Sequence, residues 1–358
     1  MAMAMFGQPK KVVATKVVAA DGSGDFVTIQ DGIDALPAGG GVVYVKEGTY
    51  TISTTLSIEK SYVAVMGAGA ATIVTCGTDF NDELLNIGDD STAFSGIVVE
   101  SIKFDGNKAN QSAGEEGVAI TSGVVDSRIY GCWMMNFVKE GIKLATSAHR
   151  THILSNVVSA CDTDGIRADC TCTGSIVQGN FVTGCGDSGI YVGGNGGYIT
   201  IADNTCSGNG EDGIEVRGGI TMVTGNLCNG NTQNGIYVYT DHISIVGNVC
   251  RYNGFNGISL YAADYDLIVN NYVYNSSYGN DNTYSGIFLE VYSTNNVING
   301  NHVHDDNPSY QAKYGIAEED ANSDYNLIVG NHVSGQQTDG IVVNGANTIS
   351  ANNMDLVV

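Results

Sequence analysis

Three consecutive stretches decide the fold. They are Ile201-Ala-Asp-Asn204-Thr-Cys206-Ser-Gly-Asn209-Gly-Glu-Asp-Gly213-Ile214-Glu-Val216, then Val223-Thr-Gly-Asn226-Leu-Cys228-Asn-Gly-Asn231-Thr-Gln-Asn-Gly235-Ile236-Tyr-Val238, then Ile245-Val-Gly-Asn248-Val-Cys250-Arg-Tyr-Asn253-Gly-Phe-Asn-Gly257-Ile258-Ser-Leu260. Each repeats one unit, in which an apolar alternation runs into Gly-Asn or Asp-Asn and a Gly-Ile pair follows. Outward from there, Gly-Ile recurs at Gly141, Gly165, Gly189, Gly213, Gly235, Gly257, Gly286, Gly315 and Gly340, with spacings of 24, 24, 24, 22, 22, 29, 29 and 25. Gly117-Val118 and Gly96-Ile97 extend the series upstream. An Asn stands nine residues before the Gly at Asn156, Asn180, Asn204, Asn226, Asn248 and Asn331. At Asn271 and Asn301 the gap is 15 and 14, so six and five residues are inserted.

No helix fits this unit. Its pieces are strands of three to five residues with period-two alternation, closed by Gly, Asn or Asp. The leucine-rich consensus is absent, and propeller blades need units of about 40 residues or more. The reading that remains is all-β: a single-stranded right-handed parallel β-helix, in which every strand pairs with the coil above and the coil below. Val158, Val182, Cys206, Cys228, Cys250, Val273, Val303 and Val333 then form an inward stack, and Cys161, Cys185, Asn209, Asn231 and Asn253 a turn ladder whose Asn side chains can bond coil to coil.

The open end of a solenoid needs a cap. Ile29, Ile33 and Leu36 lie on one face of a short helix stopped by Pro37, and the first strand is expected at Val42–Val45. The division is an N-terminal arm over 1–16, a capping segment over 17–41 and a β-helix of about twelve coils over 42–358, roughly 55–60 Å long at ~4.8 Å per coil.

The 358 residues carry a formal net charge of −23, which argues against nucleic acid and against anionic membrane surfaces. No apolar run of 18 residues exists to span a membrane. Met1–Lys16 lacks the apolar stretch of a secretory signal, so the expected location is extracellular, with a leader already removed, or a virion surface. Nine Cys, an odd number without a C-x-x-C pair, read mainly as core thiols.

The pattern resembles the pectate-lyase-like β-helix superfamily. Val17-Val-Ala-Ala-Asp-Gly-Ser-Gly-Asp-Phe-Val-Thr-Ile-Gln30 and Val43-Tyr-Val-Lys-Glu-Gly-Thr-Tyr50 are similar to the opening of pectin methylesterases and of phage tailspike β-helices. Phe104-Asp-Gly-Asn-Lys-Ala-Asn-Gln111 and Tyr314-Gly-Ile-Ala-Glu-Glu-Asp320 resemble mannuronan C5-epimerase modules. The catalytic signatures do not follow. The methylesterase Q-D-T-L and D-F-I-F-G motifs are missing, Lys143-Leu-Ala-Thr146 stands where the epimerase D-P-H-E belongs, and Asp162-Thr-Asp164 has neither the paired Asp nor the G-H-G of polygalacturonases.

In Gly-Ile-x-Val-x the x positions face outward. Stacked coils therefore form a strip containing Lys143, Arg167, Tyr191, Glu215, Tyr237, Ser259 and Phe288 at one position, and Asp169, Gly193, Arg217, Tyr239, Tyr261, Glu290 and Glu319 at the other. A solvated sheet face is the plain reading. The functional one is a saccharide platform of Arg167, Tyr191, Glu215, Tyr237, Tyr239 and Tyr261, because rings stack on sugar C–H faces and charged groups fix hydroxyls. The insertions 275–284 and 305–313 should protrude together as a wall, bringing Tyr278, Tyr284 and Tyr310. For chemistry the candidates are Glu290 with Glu319, about one rung apart as in retaining glycosidases, and Asp169 with Arg217, which could take a uronate across the space left by Gly193. The Glu pair also suits Ca²⁺; no other cofactor is called for. The expected partner is a polysaccharide, held by an adhesion rod or processed by a lyase, epimerase or hydrolase. A third reading makes the exposed faces the contacts of a homotrimer or larger assembly.

Overall fold

The computed structural model describes residues 15–114, 116–169, 171–194 and 197–356. Of the N-terminal arm, residues 1–14 lie outside the described residues. The chain winds as a right-handed parallel β-helix, and every strand pairing is parallel. Three sheets run the length of the rod. Sheet I contains strands such as Ser244–Val246, sheet II strands such as Val249–Arg251, and sheet III strands such as Ile236–Val238. Sheet III has twelve strands, in agreement with the coil count. Sheets I and II merge near the N-terminus, where Val63–Cys76 and Val98–Asp105 run through both.

The short helix, Ile29–Asp34, closes the N-terminal end as expected. Thr28 caps it by accepting the Asp31 N–H, and Ile29, Ile33 and Leu36 are buried. A Cβ on Gly32 would come within 2.6 Å of Val18 Cγ2, so only Gly lets the helix sit this close to the strands. One boundary differs from the sequence reading. Thr15–Val18 is already a strand, paired residue for residue with Val42–Val45, so the first rung begins before the cap.

The Gly-Asn and Gly-Ile pairs have separate physical causes. The residue before each landmark Asn turns the chain from sheet I to sheet II in the left-handed region, with φ +66° at Gly225, +67° at Gly247 and +66° at Gly300. At the Gly of Gly-Ile the cause is contact instead. A Cβ on Gly257, Gly286 or Gly315 would lie 2.1–2.2 Å from Cγ1 of Val273, Val303 or Val333 in the next coil. The inward Val/Cys stack is buried throughout, with Cys206, Cys228 and Cys250 at 0% exposure.

The landmark Asn residues form a continuous buried ladder, which their spacing alone did not reveal. Asn226 Nδ2 donates to the Ile201 carbonyl (2.9 Å) and to Asn248 Oδ1 (3.0 Å), while its Oδ1 accepts from the backbone N–H and Nδ2 of Asn204. The same set repeats from Asn156 to Asn353. The turn ladder Asn209–Asn231–Asn253 bonds coil to coil in the same way.

Asn226→Ala should therefore strip partners from the buried Asn204 N–H and Ile201 carbonyl. At about 1–3 kcal/mol for each of the two orphaned groups, a loss of about 2–6 kcal/mol is expected in denaturant unfolding. A loss below 1 kcal/mol would show that the ladder is not a main tie between coils.

Candidate functional site

Sheet III builds the strip. Lys143, Arg167, Tyr191, Glu215, Tyr237, Ser259 and Phe288 stand opposite one another from coil to coil. In the second column Asp169 pairs with Gly193, and the backbone N–H groups of Arg217, Tyr239, Tyr261, Glu290 and Glu319 each donate 2.7–2.8 Å to the preceding coil.

A third column belongs to the same surface and went unread. One residue before each Gly stand Glu116, Glu140, Asp164, Ser188 and Asp212, all at most 6% exposed. The signal was available, since a polar residue precedes nearly every Gly-Ile pair. These acids hold the cations of the strip. Lys143 Nζ is paired with Glu116. Arg167 reaches Asp164 (3.0 Å) and Asp169 (2.7 Å) and lies 3.8 Å from Glu140, with its guanidinium 4.2 Å above the Tyr191 ring. Arg217 is paired with Glu215 and lies 5.7 Å from the Tyr237 ring. Ser188 Oγ donates to the other Glu215 oxygen at 2.9 Å. Oε2 of buried Glu140 has no hydrogen-bond partner.

Burial and neighbouring charge set the protonation of these groups. Burial would raise Glu116, but the bonded Lys143 ammonium holds it below the usual range. Burial pushes Glu140 up and Asp212 to about 7. Burial, with the Glu290 carboxylate beside it, takes the Tyr237 phenol to about 12. Burial raises Glu290 and the Glu319 carboxylate raises it further, while the Ser259 hydroxyl, donating at 2.6 Å, pulls the other way.

The proposed space between Asp169 and Arg217 is filled. A Cβ on Gly193 would meet the Tyr191 ring at 2.7 Å, so Tyr191 folds over the gap, and both charged groups are taken by neighbours within their own strands. Glu290 and Glu319 are adjacent in their column as expected, with Glu319 Oε2 accepting the Val291 N–H at 2.9 Å. Ca²⁺ takes six to eight oxygens, and among the described residues no group of three or more His, Cys, Asp or Glu is placed to hold a metal.

The tyrosines divide into two groups. Tyr239 and Tyr261 pair with ring centroids 5.2 Å apart on the strip, and Tyr284 stacks on Phe255 (4.3 Å) at the edge of sheet III. The two insertions do pack together, through Asp281 to Gln311 and Gln337. Their Tyr278 and Tyr310 rings instead join Tyr252 beside sheet II. His302 and His332 stand opposite each other on neighbouring rungs, with ring centroids 4.6 Å apart and planes tilted by 58°.

Two family models match consecutive parts of the chain, "Pectinesterase" over residues 15–151 and "Right handed beta helix region" over 188–355. A probable pectinesterase/pectinesterase inhibitor 17 of Arabidopsis thaliana is 36% identical over 126 residues, 32% of this chain and 23% of that protein. The chain thus spans under a quarter of that relative's length. Among solved structures, the mannuronan C-5 epimerase AlgE6 A-module of Azotobacter vinelandii superposes with a TM-score of 0.81 at 18% identity, covering 92% of this chain and 94% of that one. The enzymatically active domain of bacteriophage CBA120 tailspike protein 2 gives 0.60 at 14% identity, covering 84% and 44%. The chain is thus a right-handed parallel β-helix, a fold it shares with these structures.

The buried acids set a pH dependence. Asp212 and Asp305 are pushed to about 7 and Asp266 to about 8, chiefly by burial. The unfolded chain releases these protons near pH ~4, and the folded chain holds them until pH 7–8. Stability should therefore fall as pH rises across that interval. Carboxylates held low act only below it, and His152 and His302, both lowered by burial, oppose the trend while partly exposed. A higher Tm at pH 5 than at pH 8 is expected in calorimetry; a rising profile would contradict the protonated assignment.

Proposed function

We propose that this protein recognises a polysaccharide laid along sheet III outside the cell or on a virion, and that the polymer is uncharged where it meets the strip. The observation that carries this reading is the succession of rings on one open face: Tyr191 beneath Arg167, Tyr237 near Arg217, then the Tyr239–Tyr261 pair. Rings on three of four consecutive rungs, with Glu215 on the rung between Tyr191 and Tyr237, give a polymer repeated stacking contacts, with carboxylates to accept its hydroxyls. Charge argues against a polyanion, because Lys143, Arg167 and Arg217 are already paired and the acids around them outnumber them. The names of the pectinesterase relatives and of the epimerase neighbour support a polysaccharide as ligand.

A catalytic reading rests on Glu290, raised in pKa by burial and by its neighbour Glu319. A carboxyl kept protonated beside a second carboxyl on the next rung is what acid–base chemistry on a glycosidic bond uses.

One experiment separates the two. Affinity electrophoresis against neutral and uronate polymers should show retardation by a neutral polymer. Tyr239→Ala with Tyr261→Ala should weaken it by roughly 5- to 150-fold, from about 0.5–1.5 kcal/mol per ring contact. Unaltered affinity would remove the platform. New reducing or unsaturated ends that vanish in Glu290→Gln would establish the enzyme instead.

A further inference from the structure

Sheet I presents an opposite chemistry to sheet III. Along residues 198–351 no outward position of sheet I is Asp, Glu, Lys or Arg, in a chain of net charge −23. The face is apolar as well as neutral. Met222, Leu267, Leu327 and Ile349 lie in one column at 50, 43, 36 and 60% exposure. Val246, Val269 and Val329 stand in the column beside it, partly exposed. Exposed Tyr265 and Tyr325 rim the edge. Towards the N-terminus the neutral stretch ends at Arg128 and the Asp126–Arg150 ion pair.

We infer that this face of sheet I is the contact through which a second copy of the chain packs side by side with the first. Charge is the first reason. Two rods this acidic repel each other everywhere except where both faces are neutral. Extent is the second. From Ile176 to Ile349 the face runs eight coils, about 40 Å at ~4.8 Å per rung. Its strands are three to five residues long, about 10–16 Å across, so it offers about 400–650 Å² per copy, at the upper end of the largest apolar patch usual on a monomer and approaching the ~800 Å² per partner of a stable interface. Periodicity is the third. Rows of side chains repeat at the rung spacing, so the ridges of one copy match the grooves of another at the same interval along the whole length. A foreign surface would need that same period. Such packing is self-complementary and leaves sheet III open on every copy, so a long polymer could engage two rods at once.

Analytical ultracentrifugation of the full chain from 1 to 100 µM tests this. Wild type should sediment as a dimer or larger closed assembly. Met222→Glu with Leu267→Glu should raise the dissociation constant at least a hundredfold, because two like charges per copy would be buried unpaired. Its far-UV circular dichroism should stay unchanged and its Tm should match that of wild type diluted to the dissociated state, since both side chains are exposed on the single chain. Leu327→Lys, of opposite sign, should also dissociate the assembly, which distinguishes loss of the contact from added negative charge. A wild type monomeric at 100 µM overturns the inference. So does an assembly that survives both variants, and so does a monomer whose neutral-polymer retardation is lost in Met222→Glu/Leu267→Glu, which would make sheet I a polymer face.

Discussion

Each coil is held to the next by the buried amide ladder, and the rest of the architecture is arranged around it. A coil of 22 to 24 residues has almost no structure of its own, because all its strand pairing is with its neighbours. The register between coils must therefore be fixed somewhere. The inward Val/Cys stack is too uniform to do so, since Val182, Cys206 and Cys228 would accept one another in several alignments. Hydrogen bonds are directional. Asn204 and Asn226 meet only when the coils are in step, and a slip takes the partner from three buried polar groups, the Asn204 N–H and Nδ2 and the Asn226 Oδ1. The left-handed residue before each Asn gives the bend that aims the amide inward. The close approach at Gly257 and its equivalents lets the facing wall draw in behind the Val/Cys stack.

Much of this was legible because a solenoid writes its geometry as a period. The coil number, the inward stack and the two columns of the strip follow from counting, and all fall where the spacing put them. Side-chain direction at the surface does not follow from counting. Gly193 read as open space, yet a ring two residues back in the same strand bends over it, because the Arg167 guanidinium holds that ring from the other side. Nor does alternation tell how deeply a polar column sinks. Glu116, Glu140, Asp164 and Asp212 precede a Gly that has no side chain to screen them, yet the packed turn covers them nearly completely. The insertions do pack on each other, but counting does not tell that Tyr278 turns onto Tyr252 in the preceding coil and Tyr310 onto Tyr278.

The two exposed sheets divide the work that charge does. On sheet III Arg167 and Arg217 each lie between an acid and a ring and Lys143 is paired with Glu116, so the face is polar, ordered and rich in groups that meet hydroxyls. On sheet I the outward positions carry no charge beyond the N-terminal coils. A β-helix repeats whatever it places at one position, so like charges in one column would stand about 4.8 Å apart along the rod. The strip offsets that cost by setting a buried acid beside each of the adjacent cations Lys143 and Arg167 and by following them with Tyr191 and Glu215, and sheet I avoids it by omitting charge altogether.

The same spacing explains why the ladders are made of Asn and not Asp. An amide donates and accepts, so each can serve the coils on both sides; a carboxylate can only accept, and a second one at the next rung repels it. Asp266 shows the difference. It occupies a ladder position continued by Asn296 and Asn326, and its backbone N–H bonds to Asn296 Oδ1 like any other member. Its Oδ1 accepts the Ile243 N–H. Its Oδ2, placed where an amide would donate, has no partner and is fully buried. Burial and the nearby Asp241 and Asp264 push it to about 8, so that at neutral pH it keeps a proton. In that state it is a donor again, electrically neutral like the amides it replaces, and the ladder tolerates an acid only on those terms.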